Sequence, residues 1–88
     1  MKYKIITIYN RETGKERTDG RYPLRKGCTL TFVTQPQIGD PMVWIYVSDA
    51  KGMPKDGVLS TSAVAQILDT DKGLTVTTRN SVYVFEKL

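Results

Sequence analysis

Five side chains between positions 17 and 26 carry the most chemistry in this sequence: Arg17, Arg21, Tyr22, Arg25 and Lys26. A guanidinium is a planar fork of donors that fits two phosphate oxygens at once. A tyrosine ring offers a face on which a base can stack. Gly20, Pro23 and Gly27 punctuate the same stretch, so it reads as a defined loop that presents these groups. Lys51 and Lys55, in a second polar loop, add a candidate second arm to an anion-binding surface. A competing account is that Tyr22-Pro23-Leu24 plugs one end of a barrel and leaves the arginines in solvent. The residue types alone leave both accounts open.

The charge balance points the same way. The chain of 88 residues carries a net charge of +4. Residues 1–27 hold eight basic and three acidic side chains, whereas residues 28–88 hold five basic and six acidic ones. The positive excess therefore belongs to the first third, where it can steer anionic partners. A solvated surface that keeps a small protein soluble accounts for the same numbers.

Catalytic chemistry finds little support. There is no histidine, so the commonest general base and metal ligand is missing. A Ser-His-Asp or Cys-His arrangement cannot exist within one chain. Cys28 is the lone cysteine, which excludes an internal disulfide and a structural zinc site. Neighbouring Arg25 and Lys26 could lower its pKa, but a half-buried structural thiol is the simpler account. Asp69-Thr-Asp71-Lys-Gly73 echoes the start of a calcium loop, yet its twelfth position is Asn80 rather than glutamate. A hairpin turn explains those residues better. Gly14-Lys15 lacks the rest of a phosphate-binding P-loop. The expectation is a non-enzyme without metal or cofactor.

The elements that must position these groups read mostly as strands. Residues 2–9 are β-branched and aromatic, with Tyr3, Ile5 and Tyr9 assigned to one face and Ile6 and Ile8 to the other. Cys28, Leu30 and Phe32 alternate with Thr29, Thr31 and Val33, predicting a second strand over 28–34. Met42 to Val47 is almost continuously apolar, which predicts a strand buried on both sides or crossing the core. Trp44, Tyr46 and Phe32 are read as core rather than as a ligand-binding cluster. Residues 49–57 form a long polar loop. Residues 62–69 are ambiguous: Val64, Ile67 and Leu68 have helical spacing, Ser62 can cap and Gly73 can terminate, but the stretch is short for a helix. Residues 74–79 and 82–87 alternate on either side of Arg79-Asn80-Ser81, a hairpin that places Tyr83 and Phe85 on one face and Val82 and Val84 on the other.

Together these predict one all-β domain over residues 1–88: a small five- to six-stranded barrel, SH3-like or OB-like, or a curled antiparallel sheet. An α+β sheet with one short helix near 62–69 is the alternative. The charged start MKYKIITIYN reads as a first strand without an export signal, and no apolar run is long enough to span a bilayer. An unstapled domain with one free thiol fits a reducing compartment, so a cytoplasmic location is expected.

Gly57-Val-Leu-Ser-Thr-Ser-Ala-Val64, followed by Thr77-Thr-Arg-Asn-Ser-Val-Tyr-Val-Phe-Glu86, resembles a pattern in short uncharacterised proteins encoded by phages, prophages and other mobile elements of Gram-positive bacteria. Ala63 stands where that pattern often has proline. The resemblance tilts residues 64–70 toward strand and implies an accessory protein working in a bacterial host. Many such proteins bind host or phage macromolecules, and some are anti-defence factors of the anti-CRISPR type or sponges for nucleotide signals.

The residues themselves point to a binding module for an anionic partner: nucleic acid, a nucleoprotein or a nucleotide. A protein that occludes a host or phage protein through the 49–57 loop or an exposed strand edge is the second expectation. A structural homo-oligomer, in which a second copy covers one of the two apolar faces of the terminal strand, is the third.

Overall fold

A computed structural model describes all of residues 1–88. Six strands form a closed antiparallel barrel in sequence order: β1 (Tyr3–Asn10), β2 (Thr29–Phe32), β3 (Pro41–Ser48), β4 (Val58–Asp69), β5 (Gly73–Thr78) and β6 (Ser81–Lys87). β6 returns to β1, pairing from Tyr3 opposite Lys87 to Asn10 opposite Ser81. The barrel predicted from the alternating segments is what forms. The α+β alternative does not: residues 62–69 lie inside β4. That strand pairs with β3 through residues 58–63 and with β5 through residues 64–69. Its imperfect alternation has a physical source, because register shifts at Pro41/Val43 and Val64/Gln66 change which side chains face inward.

A bulge likewise explains β1. Ile5 opposes Phe85 and Thr7 opposes Val84, so one extra residue sits on β1 between them. Tyr3 and Ile5 point inward before it, and Ile8 points inward after it. Ile6 and Tyr9 are left exposed, which corrects the face assignment of Tyr9 and Ile8.

The interior is aromatic. Trp44 is fully buried and meets Phe32, Tyr46, Tyr83 and Phe85 edge to face, with ring centres 6.4, 6.0, 5.5 and 5.9 Å away. Edge-to-face packing sets the positive ring edge against the negative face of its neighbour. β3 is not buried on both sides as its composition predicts. Met42 and Trp44 point in, whereas Ile45 is 47% exposed on the barrel exterior. Val82 and Val84 lie half-buried on the outside of β6, where Thr75, Thr77, Thr7 and Tyr9 stand opposite them and interrupt an apolar face.

Between β1 and β2 the chain makes one helical turn, α1 (Tyr22–Arg25), with Pro23 in the first turn where its missing N–H costs nothing. Gly27 follows at φ +84°, and a Cβ there would sit 2.8 Å from the Cβ of Ala50. Only glycine allows this close approach, which brings the 49–57 loop against α1. Ahead of α1, residues 15–17 run back along β1: Asn10 N–H donates to Lys15 O and Arg17 N–H to Ile8 O, at 2.7 and 2.8 Å. This return covers the part of β1 that β2 leaves unpaired. No helix is long and apolar enough to cross a membrane.

Candidate functional site

The contact between Gly27 and Ala50 makes one basic shoulder from two segments distant in the chain. Arg21, just ahead of α1, and Arg25 within it meet Lys55 from the 49–57 loop around a groove of about 260 Å³. Leu24, Tyr46, Val58 and Leu59 are its apolar lining, and Asp56 is its one carboxylate. Beside it, Lys26, Lys51 and Lys55 line a shallower hollow with Pro23, Leu24, Asp49 and Ala50. The two loops named from the sequence are thus neighbours, and Leu24 belongs to both hollows.

The seven basic and aromatic candidates have unequal freedom. Arg17 is the most constrained, with its side chain only 14% exposed. Its Nε and Nη2 donate to Asp19 at 3.3 and 3.0 Å, and its Nη1 donates to Ser81 Oγ at 2.8 Å and Asn80 O at 3.3 Å. Those bonds hold the Asp19 carboxyl below its usual range. Tyr22 packs against the core, and its ring is occupied by cations: the Arg17 and Arg25 guanidinium carbons lie 4.0 and 4.6 Å from its centre. The sequence offered this ring as a stacking face for a base, but it serves instead as the platform that orders the two arginines. The plug account therefore describes Tyr22, while Leu24 is 68% exposed and plugs nothing.

Arg25 also reaches the Tyr83 hydroxyl at 3.5 Å. Burial pushes the Tyr83 pKa up to about 12, with the nearby Arg25 charge pulling the other way. Lys26 is paired with Glu16 at 2.7 Å, a bond that lowers the Glu16 pKa together with the hydrogen bond from Thr7. Lys55 lies 4.8 Å from the centre of the Tyr46 ring. Arg21 and Lys51 are exposed and their side chains form no hydrogen bond or ion pair. Arg21 is thus the unspent guanidinium of the groove, and Arg25 and Lys55 are held in place beside it by tyrosine rings.

Cys28 lies behind α1 and is fully buried, its thiol donating to Leu24 O at 3.3 Å. Burial pushes its pKa up, opposite to the effect its basic neighbours in sequence suggest, and Lys55 offsets this only in part. The Trp44 indole N–H is buried without a hydrogen-bond partner, although the Tyr46 hydroxyl is near enough for the indole to oppose the rise that burial gives its pKa.

A second concave surface escaped the sequence reading. Asn10, Arg11, Glu12, Arg17, Arg79 and Asn80 line a polar hollow of about 390 Å³ where β1 ends and the β5–β6 hairpin turns. The available signal was the hairpin itself: pairing the end of β1 with the start of β6 sets Arg11 beside Arg79-Asn80. No known protein family, curated protein or solved structure matches this chain. The fold and surface therefore define it only as a small closed β-barrel with a basic shoulder.

Proposed function

We propose that this protein is a non-enzymatic binding module that engages a phosphate-bearing partner, a nucleic-acid strand or nucleotide, in the groove between α1 and the 49–57 loop. The observation that carries the reading is that Arg21, Arg25 and Lys55 converge on one groove with an apolar lining. Phosphate oxygens suit its cations, and the flat face of a base suits Leu24, Tyr46, Val58 and Leu59. Cations stacked on tyrosine rings are ordered before a ligand arrives, which lowers the entropy lost on binding. The free thiol and the resemblance of residues 57–64 and 77–86 to proteins of mobile elements support a role in the cytoplasm of a bacterial host.

The reading is tested by purifying the protein without nuclease and following native mass and the ratio of ultraviolet absorbances at low and high salt. Nucleic acid or nucleotide that co-purifies and leaves with salt is the expected result, because phosphate contacts release counterions. A ligand-free protein that also ignores added oligonucleotide contradicts it. A second reading is favoured by one observation: Leu24 and Val58, 68% and 67% exposed, line the same groove. A protein partner with an acidic surface would cover them, as an anti-defence inhibitor acting by occlusion would. Closure of the barrel leaves little strand edge to offer, so this reading rests on the exposed shoulder.

A further inference from the structure

We propose that the polar hollow at the β5–β6 turn is a second anion site, with Arg11 and Arg79 as its phosphate-binding groups. It lies outside the groove and does not depend on the function proposed for that groove. Arg11 and Arg79 are far apart in sequence, and the barrel closure unites them by setting Asn10 opposite Ser81. Both side chains are exposed. Arg11 Nη1 donates to Thr78 O at 3.1 Å, which aims the guanidinium and leaves most of its five N–H groups unspent. Arg79 makes no side-chain hydrogen bond or ion pair. Arg17 forms the wall. Four of its five N–H groups are engaged by Asp19, Asn80 and Ser81, so it positions the turn and contributes little free charge.

The lining specifies the ligand class. None of the six residues is apolar, so there is no surface for a base, a lipid tail or an aromatic ring. Two available guanidiniums with the amide groups of Asn10 and Asn80 suit a compact oxyanion of more than one negative charge. Phosphate or pyrophosphate has that chemistry, either as a free ion or as part of a nucleic-acid strand. Glu12 is the internal competitor. It lies in the hollow, its side chain unpaired, and its negative charge weakens the site.

The test is a titration of the isotope-labelled full chain with inorganic pyrophosphate at fixed ionic strength, following the backbone amides of Arg79, Asn80 and Ser81 by NMR. The expected result is a saturable shift of these amides. R79Q, an exposed substitution that leaves the fold intact, should weaken it at least tenfold, R11Q with R79Q should abolish it, and E12Q should tighten it several-fold. R21A with K55A should leave it unchanged, which separates this site from the groove. A parallel titration with oligothymidylate distinguishes the sources. Shifts with pyrophosphate identify a free-anion site, whereas R79Q-sensitive shifts with the strand alone identify a contact to a strand phosphate. No saturable shift with either probe, or shifts that R79Q leaves unchanged, overturns the proposal.

Discussion

The inside of the barrel and its basic shoulder use aromatic rings in opposite ways. Inside, Phe32, Tyr83 and Phe85 surround Trp44 ring edge to ring face, while Tyr83 and Phe85 lie parallel to each other. On the shoulder, Tyr22 and Tyr46 pack against guanidinium and ammonium groups and hold them at the surface. The inner rings serve stability, Tyr22 places charge, and Tyr46 does both, since it also meets Trp44 edge to face. Mutations should therefore separate the two, and the shoulder should tolerate losses that the interior cannot.

The largest effect belongs to the nucleus. Trp44→Ala should cost about 3–5 kcal/mol, the range for truncating a buried large aromatic. That is a large share of the roughly 5–15 kcal/mol available to a domain of this kind. Urea unfolding measures it, and a cost below about 1 kcal/mol would show that the aromatic nucleus is not what anchors the barrel.

Gly27→Ala is next, because it strikes the joint between the two regions. It combines a left-handed φ of +84° with a Cβ 2.8 Å from that of Ala50. About 3 kcal/mol is expected, the upper end of the range for local backbone strain. Ala50→Gly in the same chain should recover the part due to the clash and not the part due to φ. Full recovery would mean that the backbone at Gly27 is unstrained by a side chain.

Arg17→Ala should cost about 2 kcal/mol, as expected for losing charge-assisted hydrogen bonds. Arg21→Ala, four residues on, should stay within about 0.5 kcal/mol, as exposed substitutions do. Equal costs at the two positions would erase the distinction between a positioning arginine and a free one.

Alkali should probe the interior through Tyr83. Its pKa is raised in the fold, so the folded state keeps a proton that the unfolded state gives up near 10. Its contribution is intact below pH 10 and is lost as pH rises from 10 toward about 12. Absorbance near 295 nm should show tyrosine ionisation extending toward about pH 12, and Tyr83→Phe should remove its latest step. On the acid side the smallest effect is expected. Glu16 has a lowered pKa, so the stability it lends is present at neutral pH and lost as pH falls through its folded value. Glu16→Gln should flatten the acid limb of the stability profile slightly, and an unchanged limb would assign it no role in holding residues 15–17 to β1.

Much of the barrel was legible because period-two alternation is a local signal. Spacing alone put Cys28, Leu30 and Phe32 on one face, and Tyr83 and Phe85 on another; only the closed barrel shows that both sets point inward. Alternation failed where a bulge shifted the parity, as at Ile5–Thr7 in β1 and Val64–Gln66 in β4. It failed in β3 for a different reason: Ile45 is apolar but faces outward, so composition there overstated burial. The shoulder was legible as residue types and not as geometry. Nothing in the sequence shows that Tyr22 carries two guanidiniums, or that Gly27 seats the 49–57 loop. Arg11 and Arg79 were missed because only closure of β1 on β6 makes them neighbours.

The most direct test of the shoulder is binding of labelled oligothymidylate, by fluorescence anisotropy at two salt concentrations, to the native chain and to R21A with K55A, with thermal unfolding of both recorded alongside. The account predicts equal stability, affinity at least tenfold weaker in the variant, and a log affinity–log salt slope shallower by about 1.4 for two lost phosphate contacts. Equal affinity and equal slope in two equally stable proteins would contradict it.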